Sequence, residues 1–280
     1  MFDNVSIFNF SGVYDEESFY LKDKGSSFYD AGTADDIPSI KLYDMKDISG
    51  TNCMCDDMAA ESIRDIFKNE NVTPYGIHFI DSGNYHYMSA LLTEMVKEPF
   101  SLVVLDHHPD MQPPMFGDIL SCGGWVLKVL NENKYVRDVH VIGADEVLVS
   151  KLDPEDAGKV KFYSVDGSEC VDANRSENAD GKGINIQKFE FDTFSTEYPV
   201  YLSIDKDVLL KGEVITNWDQ GNMTSSQLFL LVKKLAASGK LLGVDICGEC
   251  ATDQEDCDVG KAIAGNDEFN RRIMGFLIGA

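Results

Sequence analysis

Short apolar runs recur along the chain, and segments with helical spacing separate one run from the next. Val, Ile and Leu fill these runs, and polar or glycine-containing segments bound them, which is typical of buried strands. At residues 56–69, by contrast, Met58, Ile63 and Phe67 recur at helical spacing behind an acidic first turn. The pattern predicts strands at residues 5–13, 75–80, 101–106, 139–143, 160–165, 199–204 and 241–247. It predicts helices at residues 56–69, 85–96, 125–130 and 144–152, one opened by a capping box at 224–227, and a last one that ends at 276.

The alternation of strands and helices predicts the fold class. Buried strands separated by helices are typical of a mainly parallel sheet covered on both faces, so we expect a three-layer α/β/α protein. Residues 14–50 are predicted to be irregular and residues 166–188 a surface loop, because both segments are polar and rich in turn-forming residues. At 280 residues the chain is long enough for one large domain or two small ones.

Acidic residues and histidines are concentrated where predicted strands end. The segments 106–110 (Asp-His-His-Pro-Asp) and 205–207 (Asp-Lys-Asp) each follow a strand, as Glu249 does, and His86 follows the turn after another. In such sheets ligands bind beyond the carboxyl ends of the strands, so we expect these side chains at one rim. If the chain stays extended to residue 110, the side chains of Asp106, His108 and Asp110 point to one face and that of His107 points to the other. Buried carboxylates this close repel each other unless a cation lies between them, so the pattern predicts a metal site.

Charge and cysteine content narrow the range of partners and locations. The chain has 24 Lys and Arg residues against 48 Asp and Glu, a net charge of −24, which repels nucleic acid and anionic membrane surfaces. No apolar run approaches the roughly 20 residues that span a bilayer, and the first ten residues lack the basic start of a secretory signal. The seven cysteines are an odd count at irregular spacing, which favours reduced thiols and a cytoplasmic location.

Taken together, the polar clusters resemble three motifs of the ureohydrolases, the family that contains arginase, agmatinase and formiminoglutamase. The family motifs are Gly-Gly-Asp-His, Asp-Ala-His-x-Asp and Ser-x-Asp-x-Asp. The matching segments are Gly83-Asn84-Tyr85-His86, Asp106-His107-His108-Pro109-Asp110 and Ser203-Ile204-Asp205-Lys206-Asp207. The resemblance extends from about residue 77 to residue 245 and fills all six metal-ligand positions in order. It implies a divergent member with one arginase-like metallohydrolase domain over residues 1–280.

Carried over by motif, the resemblance implies a binuclear manganese centre. The implied ligands are His86 and Asp110 for one ion, His108 and Asp207 for the other, and Asp106 and Asp205 as bridges between the two. Oxygen-rich ligation with two imidazoles suits Mn²⁺, although Ni²⁺, Co²⁺ or Zn²⁺ often bind such sites more tightly, so other divalent transition metals stay open. His107 is not among the implied ligands.

The implied reaction is hydrolysis of a carbon–nitrogen bond in a linear guanidine or amidine. A hydroxide that bridges the two ions attacks the trigonal carbon, and Asp110 accepts its proton and passes it to the departing amine. Glu249 is the implied contact for the guanidinium group of the substrate. The implied partner is therefore a small guanidino or amidino molecule, and because the family commonly forms oligomers, the expectation extends to a homo-oligomer.

Departures from the family pattern leave the substrate open. The first motif lacks the acid that normally precedes its histidine, and Cys122 lies in the region where arginases and agmatinases carry a proton-shuttling histidine. The guanidinium-binding Glu of the family lies three residues after an Asp, whereas Glu249 lies four residues after Asp245. A shift of one residue on a strand reverses the face, so Glu249 reaches the site only if Gly248 absorbs a bulge.

Two other classes of function stay open. The first is an amide hydrolase on the same fold, like the related deacetylases, which keep a single zinc ion and lack the full paired ligand set. The second is a metal-binding protein of this fold with lost or altered catalysis, which the missing shuttle histidine and the displaced Glu249 keep open. The pairs Cys53–Cys55 and Cys247–Cys250 predict neither a zinc nor a redox site, because they lack zinc-ribbon spacing and a thioredoxin-like context.

Overall fold

A nine-stranded sheet forms the framework of the molecule, and all neighbouring strands in it are parallel. The structure is a computed structural model, and it describes residues 2–21, 38–166, 184–254 and 257–279. In chain order the strands are β1 (Asn4–Asn9), β2 (Ser39–Asp44), β3 (Met54–Cys55), β4 (Ile77–Phe79), β5 (Phe100–Leu105), β6 (Leu120–Ser121), β7 (Val136–Ile142), β8 (Lys161–Ser164), β9 (Ile186–Lys188), β10 (Val200–Asp205) and β11 (Leu241–Cys247). Their order across the sheet is β2-β1-β4-β11-β10-β5-β7-β8-β9, and β3 and β6 form a separate antiparallel pair.

Helices cover both faces of this sheet. In chain order they are α1 (Val13–Glu16), α2 (Asp57–Asn69), α3 (Met88–Thr93), α4 (Trp125–Glu132), α5 (Glu146–Ser150), α6 (Pro154–Ala157), α7 (Ser225–Ala237) and α8 (Val259–Gly279). Trp125 of α4 lies in one apolar layer with Tyr201 of β10, whereas Leu228 of α7 lies in the other layer with Leu202. Consecutive residues of a strand thus serve opposite layers, as strand geometry requires. This architecture confirms the predicted three-layer α/β/α fold with a parallel central sheet.

The predicted strands are all present, with ends that differ by a few residues. The largest difference is at the first strand, which ends at Asn9 instead of residue 13. Gly12 has a φ of +86°, a left-handed conformation that turns the chain out of the sheet and into α1. Among the helices, the one predicted at residues 85–96 is shorter, because a 3₁₀ turn at Gly83–Tyr85 precedes it and α3 spans only Met88–Thr93.

Two segments predicted to be irregular contribute strands. β2 lies within residues 14–50 and β9 lies within residues 166–188, and the parts of these segments at 22–37 and 167–183 lie outside the described residues. Both strands are at the edges of the sheet and keep much of their surface exposed. An edge strand needs no continuous apolar run, so hydrophobic patterning alone does not reveal it. Within the four described ranges, no helix combines the length and apolar character needed to cross a membrane.

The capping box that opens α7 is confirmed and gives a first test. Thr224 Oγ1 accepts a hydrogen bond from the Gln227 amide at 3.2 Å, and Gln227 Oε1 accepts one from the Thr224 amide at 2.9 Å. Thr224→Ala removes the first of these bonds, so we expect the free energy of unfolding to fall by about 1 kcal/mol in urea denaturation. Thr224→Ser, which keeps the hydroxyl, is the control and should stay close to wild type; equal losses in both variants would contradict the capping explanation.

Candidate metal centre

The carboxyl ends of the central strands bring the predicted ligands together. β4, β11, β10 and β5 are consecutive in the sheet, and their parallel direction places all four carboxyl ends at one edge. Asp106 directly follows β5, Asp205 is the last residue of β10, and His86 follows the 3₁₀ turn after β4. The cluster is nearly closed to solvent, since Asp106, Asp110, Asp205 and Asp207 are 1%, 7%, 3% and 1% exposed.

His86 faces three of these carboxylates with one ring nitrogen. Its Nδ1 lies 3.1 Å from Asp106 Oδ2, 3.1 Å from Asp110 Oδ2 and 3.6 Å from Asp205 Oδ2. Its Nε2 is 2.8 Å from Ser203 Oγ, whereas Nδ1 makes no hydrogen bond of acceptable geometry. When Nε2 donates to the serine, Nδ1 presents a lone pair to carboxylate oxygens, an arrangement that a cation between them stabilises.

His108 forms a second group of donors that shares Asp106 with the first. Its Nδ1 lies 2.9 Å from Asp207 Oδ2 and 3.5 Å from Asp106 Oδ1. In each of the groups His86–Asp106–Asp110 and Asp106–His108–Asp207, one donor atom per residue lies within 4.8 Å of the other two. These two overlapping sets hold five of the six predicted ligands, and Asp205, whose Oδ2 lies 3.6 Å from His86 Nδ1, joins them at the same place. Nitrogen and carboxylate oxygen donors in this arrangement fit two divalent cations.

The chain does not stay extended through residues 106–110, contrary to the assumption behind the alternation argument. β5 ends at Leu105, the His108 amide donates to Asp106 Oδ1 at 2.6 Å, and Asp110 has a φ of +48°. Asp205 makes the same kind of turn, because its Oδ1 accepts a hydrogen bond from the Asp207 amide at 2.9 Å. Each of these two aspartates thus uses one oxygen to turn the backbone and leaves Oδ2 directed at His86.

Exclusion of water makes the carboxylates interact strongly. Burial and then the negative charge of Asp106 raise the pKa of Asp110 to about 7. Burial, followed by the charge of the neighbouring Asp205, raises the pKa of Asp207 well above its usual range. Burial opposes the charged form of Asp106 as well, but contacts with the two histidines outweigh it and lower the pKa of that carboxyl. Two divalent ions would offset the four negative charges, which is a second respect in which the residues fit a binuclear centre.

Two residues outside the six predicted ligands shape this cluster. Trp125 Nε1 donates a hydrogen bond of 2.7 Å to Asp110 Oδ2, and its ring centroid lies 4.8 Å from that of His86. Gly83 has space for no side chain, because a Cβ there would lie 2.9 Å from Asp205 Oδ2. The Gly at the start of the first motif was a visible signal, whereas nothing in the sequence marked Trp125 as more than an apolar helix residue.

Glu249, the residue predicted to contact the guanidinium group, is not brought to the cluster. Its Oε1 lies 2.5 Å from Lys206 Nζ on the opposite face of the sheet, and both side chains are fully buried. Gly248 does take a left-handed conformation, with a φ of +97°, yet Glu249 still bonds through its backbone to Asp81 and turns away. The register between β4 and β11 continues without a shift to the bridge between Ser82 and Glu249, so no bulge is made, and the left-handed turn at Gly248 directs the Glu249 side chain away from the cluster. The predicted role of Glu249 has no support in this geometry.

Glu249 instead belongs to a buried polar group behind the cluster. Asn270 Nδ2 donates to Glu249 Oε1 at 2.7 Å and to Glu17 Oε2 at 2.9 Å, and Lys206 Nζ donates to Asn270 Oδ1 at 3.3 Å. Burial, and then the charge of Glu249, raise the pKa of Glu17 well above its usual range, which favours the neutral form of this carboxyl. The buried ion pair of Lys206 and Glu249 lies at the centre of this group.

Cys122 and His107, the other two residues that the sequence analysis discussed, lie beside the cluster. The Cys122 amide donates to the Cys53 carbonyl at 2.9 Å, and a hydrogen bond to Cys53 together with burial raises the pKa of the Cys122 thiol. The same contact lowers the pKa of Cys53 to about 7, although burial opposes it. His107 donates its backbone amide to Asp207 Oδ1 at 3.0 Å, while its ring packs against His108 with centroids 5.2 Å apart. These placements leave His107 as a neighbour of the ligands.

Comparison with known proteins adds evidence from outside the chain. A sequence model described as the arginase family matches residues 20–256. An uncharacterized protein of Thermotoga maritima is 29% identical over 254 residues, which cover 88% of this chain and 80% of that protein. Proclavaminate amidino hydrolase from Streptomyces clavuligerus aligns with a TM-score of 0.59 at 14% identity, covering 100% of this chain and 93% of that one. Arginase from Medicago truncatula aligns with a TM-score of 0.59 at 14% identity, covering 99% and 88%. At such identities the two structures show a shared fold.

The buried pair of Lys206 and Glu249 gives a stability test. Lys206→Met leaves the Glu249 carboxylate buried without its counter-charge, so we expect the free energy of unfolding of metal-free protein to fall by about 3–5 kcal/mol in urea. The double variant K206M/E249Q removes both charges and should recover a large part of that loss. Lys128→Met is the control, since Lys128 pairs with Glu132 at the surface and should change stability by less than about 1 kcal/mol. A loss at Lys206 no larger than at Lys128 would refute the pairing.

Proposed function

Because the chain belongs to the arginase family, we propose that it is a binuclear-metal hydrolase that cleaves a carbon–nitrogen bond of a linear guanidine or amidine. Proteins of this family are hydrolases and generally depend on metal ions. The observation that carries the proposal is the pair of donor groups that share Asp106 in a closed, acidic cluster. We also propose that residues 1–280 form a single metallohydrolase domain, since the described strands that supply the ligands belong to one sheet.

The proposed ligand assignment follows the two donor groups. One ion would be held by His86 and Asp110 and the other by His108 and Asp207, with Asp106 and Asp205 between them. Mn²⁺ is the proposed metal, because the set is rich in carboxylate oxygen, and other divalent transition metals suit the same donors. When bound, such a pair of ions supplies a nucleophilic hydroxide near neutral pH and stabilises developing negative charge.

Residues of the chain would handle the proton and the approach of the substrate. Trp125 and His86 both engage Asp110 Oδ2, so we assign the transferred proton to Asp110 Oδ1 and its delivery to the departing amine to the same group. The His108 side chain is 23% exposed, whereas the side chains of the other ligands are 8% exposed or less, so the substrate would enter beside His108. Trp218, whose ring centroid lies 5.7 Å from that of His108, offers an aromatic face to a small cationic substrate.

One observation favours a second candidate. Glu249 is bound to Lys206, and a side chain at position 248 would collide with Asp205 Oδ1 at 2.5 Å, so the end of β11 directs no carboxylate at the cluster. A guanidinium group would then lack an acidic partner from this strand. The second candidate is therefore an arginase-fold metalloprotein with altered or lost catalysis, including hydrolysis of an amide instead of a guanidine.

Metal content tests the binuclear centre. Protein stripped with EDTA and reloaded with Mn²⁺ should hold two ions per chain by mass spectrometry of the metals. Asp205→Asn removes a bridging charge and should lower the content to one ion or fewer, whereas Asp65→Asn, at an exposed position of α2, should keep two. A content of one ion per chain in fully loaded wild-type protein would contradict the binuclear proposal.

Substrate turnover tests the hydrolase. Mn²⁺-loaded protein should release urea or ammonia from at least one of arginine, agmatine, guanidinobutyrate and formiminoglutamate. Asp110→Asn should lower kcat on that substrate by about 100-fold or more, because it removes the proposed proton carrier. Metal content is measured alongside, so that loss of an ion is distinguished from loss of proton transfer. If none of the compounds turns over while both ions stay bound, the second candidate replaces the first.

A further inference from the structure

Cys247 lies at the candidate metal centre, although no motif assigned it a role there. It is the last residue of β11 and pairs in register with Asp205, the last residue of β10. Its Sγ lies 3.1 Å from Asp205 Oδ2, and the residue is 1% exposed. One donor atom from each of His86, Asp205 and Cys247 lies within 4.8 Å of the other two. The thiol thus occupies the place at the end of β11 that Glu249 does not reach.

His86 points independently to the same place. The residue is 1% exposed, its Nδ1 has no hydrogen-bond partner, and that nitrogen lies 3.6 Å from Asp205 Oδ2. Ser203 engages the other ring nitrogen, which fixes Nδ1 as the atom available to a cation. An unpartnered buried nitrogen and a buried thiol therefore converge on one carboxylate oxygen.

We propose that Cys247 is a sulfur ligand of the ion held by His86, in addition to the six nitrogen and oxygen ligands. This inference rests on the proposed metal centre and adds a donor to it. On binding, the S–H bond breaks, the proton leaves to solvent, and the sulfur donates its electron pair to the ion. The hydrogen bond from the thiol to Asp205 Oδ2 is lost in the same step, which frees that oxygen for the ion.

The sulfur donor makes the two ions unequal. The His86 ion gains a soft ligand, whereas the His108 ion keeps one imidazole and the carboxylates of Asp106 and Asp207. Thiolates favour Zn²⁺ over Mn²⁺, while carboxylates suit Mn²⁺. The His86 position therefore prefers a thiophilic ion, and the His108 position accepts Mn²⁺.

Cobalt spectroscopy tests the ligand without any assay of activity. The metal-free full chain is titrated with Co²⁺ in a reductant that carries no thiol. Wild type should develop visible cobalt bands together with a near-ultraviolet sulfur-to-cobalt charge-transfer band, and Cys247→Ser should keep the visible bands and lose the near-ultraviolet band. In competition between Zn²⁺ and Mn²⁺, the same variant should lower the preference for Zn²⁺ by roughly tenfold or more, since even outer contacts of a metal site affect affinity by about 10–100-fold.

Cys55→Ser is the matched control. Cys55 is also 1% exposed, but its thiol donates to the Asp56 carbonyl at the start of α2, so this variant should keep both bands. A near-ultraviolet band that persists in Cys247→Ser would come from another thiol and would overturn the proposal. Visible bands without a near-ultraviolet band in wild type would also overturn it while leaving the binuclear centre intact. Absence of all cobalt bands in wild type would contradict the proposed metal centre itself.

Discussion

Repulsion among four buried carboxylates is the constraint on which the site depends. Asp106, Asp110, Asp205 and Asp207 are at most 7% exposed, and their oxygens share the space around two imidazoles. Such a cluster is costly to fold unless cations offset the charge. The protein builds it at the carboxyl ends of adjacent parallel strands, where backbone amides that no longer pair within the sheet can bind carboxylate oxygens. Asp106 and Asp205 each accept such a hydrogen bond from the backbone amide two residues later in the chain.

The sheet separates two charged groups that lie close together in sequence. Asp205 and Asp207 face the metal-ligand cluster, whereas Lys206 between them reaches Glu249 and Asn270 on the other side. Because Lys206 pairs with Glu249, its positive charge does not offset the carboxylates of the cluster, and a metal is left to do so. Glu17 completes the second group, where burial raises the pKa of its carboxyl and favours the neutral form. This division explains how a chain with an acidic centre can also hold a fully buried lysine.

One residue of spacing at the end of β11 changes the chemistry available to the site. Gly248 approaches Asp205 so closely that no side chain fits there, and the next residue, Glu249, faces away. Cys247 is left as the side chain of β11 that reaches the cluster. If Cys247 binds an ion of the candidate centre and no carboxylate of β11 reaches the substrate, the protein is expected to differ from other family members in metal preference and in substrate.

The sequence by itself determined the fold class, the inner strands and the six residues that meet at the rim. Apolar runs mark strands buried on both faces, and the motifs place acids and histidines directly after these strands or after the next turn. It did not reveal the edge strands β2 and β9, because strands that remain largely exposed need no apolar run. Only the tertiary structure decided where Glu249 and Cys247 point, that Trp125 holds Asp110, and that the chain bends after Leu105. Those outcomes depend on partners more than ten residues away in the chain or on local turns, and side-chain alternation describes neither.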